Sequence, residues 1–109
     1  MADCKTSVSG KEVETYFHDC MPLFIALGDE MRLNIIEVLS HAVQSGNRDG
    51  LNVNEITRQL GLSRPAISHH LKILKNSGLV KVRESGTSNF YQLTLRECTQ
   101  RLMKLGFMV

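Results

Sequence analysis

From residue 60 to residue 79 the chain reads LGLSRPAISHHLKILKNSGL. Apolar side chains return at Ile67, Leu71 and Leu74, the i, i+4, i+7 stripe of an amphipathic helix. Ser63 is suited to N-cap that helix, Pro65 to fill its first turn, and Gly78 to supply a left-handed C-cap. A different face carries Arg64, Ser68, Lys72 and Lys75, with His69 and Asn76 beside them. It offers positive charge and hydrogen-bonding groups and no carboxylate, which is what a helix laid in a DNA major groove needs.

The same reading extends along the whole chain. Residues 1–10 are small and polar and predict a flexible N-terminal segment ahead of one domain over 11–109. Val13, Phe17, Cys20, Phe24 and Leu27 recur at roughly helical spacing. Pro22 interrupts them, so a kink or a restart is expected there, with Asp19 capping the second piece and Gly28 ending it. Asp29 is placed to cap a central core helix with an apolar face of Leu33, Ile36, Val38, Leu39 and Ala42. SGNRDG at 45–50 is a turn. A short helix opens at Asn52 or Val53 and stops at Gly61, with Leu51, Ile56, Leu60 and Leu62 as its buried contacts. Gly61-Leu62-Ser63 is then the turn of a helix-turn-helix.

After Gly78 the period changes to two: Leu79, Lys81 and Arg83 alternate with Val80, Val82 and Glu84. SGTSN and FYQLTL complete a β-hairpin with Ser85, Gly86, Thr87 and Ser88 near its tip. From Leu95 onward, Leu95, Cys98, Leu102, Leu105 and Val109 follow 3,4,3,4 spacing, a seam for packing one helix on another. The predicted class is mainly α with a small β-hairpin (α+β). It is a winged helix-turn-helix of about five helices plus a two-stranded antiparallel wing.

A chain of 109 residues is large enough for a core without metal or disulfide staples. Cys4, Cys20 and Cys98 are an odd number with no paired spacing, which argues for reduced thiols. No run has the length of a transmembrane helix and the N-terminus lacks the order of a signal peptide, so a cytoplasmic location is expected. Charge is the informative quantity. Residues 1–50 carry four bases against eight acids, net −4, and residues 51–109 nine bases against three acids, net +6. Between Arg58 and Arg83 there are six bases and no acid. Coinciding with the helix-turn-helix pattern, that run points to a polyanion partner. A winged helix serving only as a protein-interaction module, the rival reading, has no need of it. Enzyme activity is not expected, because no nucleophile–base arrangement and no glycine-rich phosphate loop is recognisable.

LFIALGDEMRLNIIEVLS, followed by LNVNEITRQLGLSRPAISHHLKILKNSGLVKVRESGTSNFYQL, closely resembles the ArsR-type bacterial transcriptional regulators over residues 23–93, about two thirds of the chain. The resemblance implies a homodimeric repressor on double-stranded DNA, with two recognition helices reading an inverted repeat and an effector that usually releases the DNA. It implies a dimer interface on the first and last helices, here Val13, Phe17, Cys20, Phe24, Leu95, Cys98, Leu102 and Leu105. The candidate DNA contacts are Ser63, Arg64, Pro65, Ser68, His69, Lys72 and Lys75. Arg64 is the best base reader, because a guanidinium can grip guanine O6 and N7 together. Lys72 and Lys75 lie further along and suit phosphates. Arg83, Thr87, Ser88 and Asn89 are the wing candidates, although the tip SGTSN is uncharged where many relatives carry arginine. His70 borders the core stripe and reads as a packed, hydrogen-bonded structural histidine.

Many ArsR relatives bind metal through a Cys-x-Cys pair ahead of the recognition helix. Asn52 and Asn54 stand at those positions. A second family site uses Asp and His in the last helix, where this chain has Leu95, Glu97 and Met108 and no His after His70. Soft and borderline metals need thiolate or imidazole, so neither a metal nor a cofactor is expected. Cys20 and Cys98 remain as a thiol-switch candidate, with plain apolar packing the favoured reading.

Overall fold

The computed structural model describes residues 9–109. Their order is α1 (Gly10–Leu27), α2 (Glu30–Gln44), α3 (Val53–Leu60), α4 (Arg64–Asn76), β1 (Val80–Ser85), β2 (Ser88–Leu93) and α5 (Leu95–Met108). The segment expected to be flexible lies outside the described residues up to residue 8, and α1 already begins at Gly10. Four helices start on a side chain that accepts from their own first-turn amides, which would otherwise be orphaned. Ser9 accepts from the Glu12 N–H, Asp29 from Met31 and Arg32, and Ser63 from Ala66. Asn52 accepts from the Glu55 N–H at 2.9 Å, and Glu55 accepts in return from the Asn52 N–H at 3.0 Å, a complete capping box.

The break expected at Pro22 does not occur. α1 runs as one helix of 18 residues, and Asp19 stands exposed inside it, capping nothing. Proline removes one hydrogen bond, that of the His18 carbonyl, and His18 is on the exposed side. Cys20, Leu23 and Ala26 are buried on the other side and hold the helix to the core across the gap. A second correction concerns α2. Its core stripe is Arg32, Ile35, Val38 and Leu39, whereas Leu33 stands 46% exposed.

Arg32 is buried because it finishes α1. Its guanidinium donates at 2.8 Å to the Ala26 carbonyl, left over in the last turn of α1, and at 3.2 Å to the Ile25 carbonyl, which also accepts from the Gly28 N–H. It also lies 3.3 Å from His70 Nδ1. Arginine can only donate, so Nδ1 is the accepting side of this contact. The recognition helix is tied in this way to the α1–α2 corner.

α4 ends in a Schellman motif. Gly78 adopts φ +85°, the Leu79 N–H reaches the Leu74 carbonyl and the Gly78 N–H reaches that of Lys75. Ile67, Leu71 and Leu74 are its buried stripe, as their spacing predicts. β1 and β2 pair antiparallel, Val80 opposite Leu93 through Ser85 opposite Ser88, leaving Gly86 and Thr87 as the turn. Leu51 adds a bridge to Tyr91 beside β2. That approach is close enough that a Cβ on Gly50 would run into the Tyr91 carbonyl.

α5 is fastened to the corner between α4 and β1. The Thr94 hydroxyl and the Cys98 thiol both donate to the Gly78 carbonyl, and Arg101 donates to that of Ser77 at 3.2 Å. Tyr16 of α1 donates to the Arg101 carbonyl at 3.0 Å and links the two terminal helices.

Candidate nucleic-acid interface

Arg64, Pro65, Ser68, His69, Lys72 and Lys75 are all exposed on the outer face of α4. Ser63 is exposed as well, but its oxygen is committed to the cap. The start of α4 opens into a cavity of about 410 Å³ whose walls are almost entirely polar. Asn52 and Asn54 come from α3, Arg64 and Ser68 from α4, and Thr87, Ser88 and Asn89 from the wing. Further along α4, a cavity of about 320 Å³ shares Ser68, Asn89 and Tyr91 with the first and adds Lys72, Lys75 and Glu84. The two form one polar trough between recognition helix and wing.

Arg83 does not join that trough. Register puts Val82 opposite Tyr91 and Glu84 opposite Asn89 on the face towards α4, so Arg83 projects from the other face. There its guanidinium lies 4.9 Å from the centre of the Phe90 ring, directly across the hairpin. His70 is half-buried against Arg32, whereas His69 is exposed.

Sequence reasoning did not count Asn52, Asn54, Glu84 or Tyr91 among the residues of this trough. Glu84 sits one place beyond the acid-free run and folds back beside Lys72 and Lys75. Its period-two phase with Val80 and Val82 is the signal that places it. Asn54 accepts a hydrogen bond from the Arg64 guanidinium. No local pattern announces a contact between residues ten apart on two different helices.

The expected interface side chains divide into two sets. Phe17, Phe24 and Leu95 are exposed, and Val13 and Leu102 are half-buried. Cys20 and Cys98, at 1% and 2% exposure, and Leu105 are instead interior to a single chain. With both thiols turned inward, neither is presented to a second copy, and the Cys98 thiol is engaged with the Gly78 carbonyl. Among the described residues no cluster of His, Cys, Asp or Glu is arranged to hold a metal ion, and no helix is long and apolar enough to cross a membrane.

A family model described as "Bacterial regulatory protein, arsR family" matches residues 29–82, from the cap of α2 into β1. An uncharacterized HTH-type transcriptional regulator of Methanocaldococcus jannaschii is 42% identical over 71 residues, which are 65% of this chain and 73% of that protein. The chain belongs to the ArsR family. It is accordingly a DNA-binding transcriptional regulator. The biofilm growth-associated repressor of Xylella fastidiosa is 31% identical over 72 residues, 62% of this chain and 63% of that protein. Part of that relative's length therefore has no counterpart in the match. In fold, this ArsR chain is similar to the solution structure of a homodimeric winged helix-turn-helix DNA-binding domain from Mycobacterium bovis. The TM-score is 0.68 at 21% identity, over 89% of this chain and 83% of that one.

Proposed function

We propose that the protein is a homodimeric repressor that binds an inverted-repeat operator and leaves it on a signal of unidentified chemistry. The observation that carries this reading is the polar trough along α4, with Arg64 at its head, Lys72 and Lys75 along it and no acid before Glu84. Arg64 reads a base, Ser68 and His69 meet base edges or phosphates, and Lys72 and Lys75 meet phosphates. Thr87, Ser88 and Asn89 follow the backbone beside the groove, and Arg83 contributes charge from the far side of the wing. Exposed Phe17, Phe24, Met103 and Phe107 on α1 and α5 support a second copy as partner. Two α4 helices then sit about one DNA turn apart. A repressor role also agrees with the name of the Xylella relative.

In this reading the protein works in the cytoplasm and acts by binding, without catalysis, metal or cofactor. Cys20 and Cys98 are packing groups and not the trigger.

Binding of operator and random duplex, measured at several salt concentrations, tests the proposal. Arg64→Ala weakens operator binding selectively, by about 1–3 kcal/mol. Lys75→Ala weakens both duplexes alike and lowers the salt slope by about one. If Arg64→Ala keeps the wild-type ratio of operator to random affinity, Arg64 does not read a base. If wild-type binding is insensitive to salt, the trough does not hold phosphates.

A further inference from the structure

We infer that Asn54 is a specificity-determining residue of this DNA site: it positions Arg64 and never needs to touch a base itself. The inference rests on the DNA-binding reading above. Arg64 is the first residue of α4 and is exposed. A long side chain in that position, left free, is drawn to any nearby phosphate as readily as to a base edge, and phosphate contacts carry no sequence information. Arg64 is not left free. One Nη1–H of its guanidinium is held by Asn54 Oδ1, from the first turn of α3. Both side chains line the same cavity, with Ser68, Thr87, Ser88 and Asn89 around them.

The chemistry of the pair fits positioning. Arginine has five N–H donors in a rigid fork. Asn54 uses one of them, and the remaining donors keep a parallel pair for guanine O6 and N7. An amide holds the fork without cancelling its charge, so the pull of the site on DNA is preserved. A carboxylate in the same place would neutralise Arg64 and repel phosphate. The carboxylate next to Asn54 in the chain, Glu55, is engaged by the Asn52 N–H at 3.0 Å. The two helices of the helix-turn-helix thus share one reading group: α4 supplies it and α3 aims it.

The test is a double-mutant cycle on the full chain. Wild type, Asn54→Ala, Arg64→Ala and the double variant are titrated with operator and with random duplex at one fixed salt concentration. Asn54 is exposed on a helix surface, so its truncation leaves folding intact, and thermal melting of each variant checks this. Asn54→Ala is expected to lower the ratio of operator to random affinity by about tenfold, with random binding unchanged. In the Arg64→Ala background the same substitution is expected to change the ratio no further. A purely structural role for Asn54 would instead lower both affinities together in both backgrounds. The inference is overturned if Asn54→Ala keeps the wild-type ratio while Arg64→Ala loses it, or if Asn54→Ala costs the same with Arg64 absent. If Arg64→Ala itself keeps the ratio, the base-reading role falls first and the positioning role with it.

Discussion

α4 and α5 have nearly the same length and the same kind of inner face, yet their outer faces are opposites. α4 buries Ile67, Leu71 and Leu74 and shows water Arg64, Ser68, Lys72 and Lys75. α5 buries Cys98 and Leu105 and shows water Met103 and Phe107, with Phe107 70% exposed and Val109 exposed just past its end. The inner faces do the same thing, docking a helix onto the core. What distinguishes the helices is the side left over. A cationic face is stable in water and meets an anion when one arrives. An exposed apolar face is unfavourable in water and is relieved by a matching surface. The two are physically joined, because Thr94, Cys98 and Arg101 of the α5 end grip the Ser77–Gly78 carbonyls where α4 stops.

The largest effect should come from the inner face, where the helices are alike. Leu71 has no exposure, and Leu71→Ala leaves a cavity under the recognition helix. A loss of about 2–5 kcal/mol in urea unfolding is expected. A loss below 1 kcal/mol would mean that α4 is held mainly by its polar ties to Arg32 and α5. The next effect comes from the outer face that water disfavours. Phe107→Asp places a charge in the apolar patch and should raise the dimer dissociation constant by about tenfold or more in sedimentation equilibrium. The melting temperature of the isolated protomer should barely move, since Phe107 packs little within it. An unchanged dimer would show that the patch serves another partner.

Much of this contrast was legible in the sequence because it is local. The i, i+4, i+7 stripe of α4, the caps at Asp29 and Ser63, the left-handed Gly78 and the hairpin tip depend on neighbours within a few residues. The unread parts depend on distant ones. α1 continues past Pro22 because Leu23 and Ala26 bury against other helices. Arg32 is interior because it donates to the carbonyls of Ala26 and Ile25 at the end of α1, and nothing in its own helix announces that. The α5 seam was legible as a seam, but spacing does not say which side of it meets a second chain. Burial assigns Cys98 and Leu105 inward and leaves Phe107 and Met103, which the 3,4,3,4 pattern skipped, facing out. The Asn54–Arg64 pair joins the first turns of two helices and is invisible to any periodicity.

The smallest expected effect lies at the Asp29–Arg32 corner, where α1, α2 and α4 meet. The Arg32 backbone N–H holds the Asp29 carboxyl below the usual carboxylate range, helped by the Arg32 charge and by the Met31 N–H. A lowered folded-state pKa means that ionised Asp29 stabilises the native state. That contribution is complete above the unfolded value, about 3.9, and disappears as pH falls through the folded value. Asp29→Asn keeps an oxygen for the cap and removes only the charge. The stability gap between wild type and Asp29→Asn should therefore be steady around neutral pH and close below about pH 4 in urea unfolding. A gap of equal size at pH 7 and pH 3 would mean that Asp29 acts there as a neutral cap. Arg32 would then be held by the Ile25 and Ala26 carbonyls and by His70, without help from the Asp29 charge.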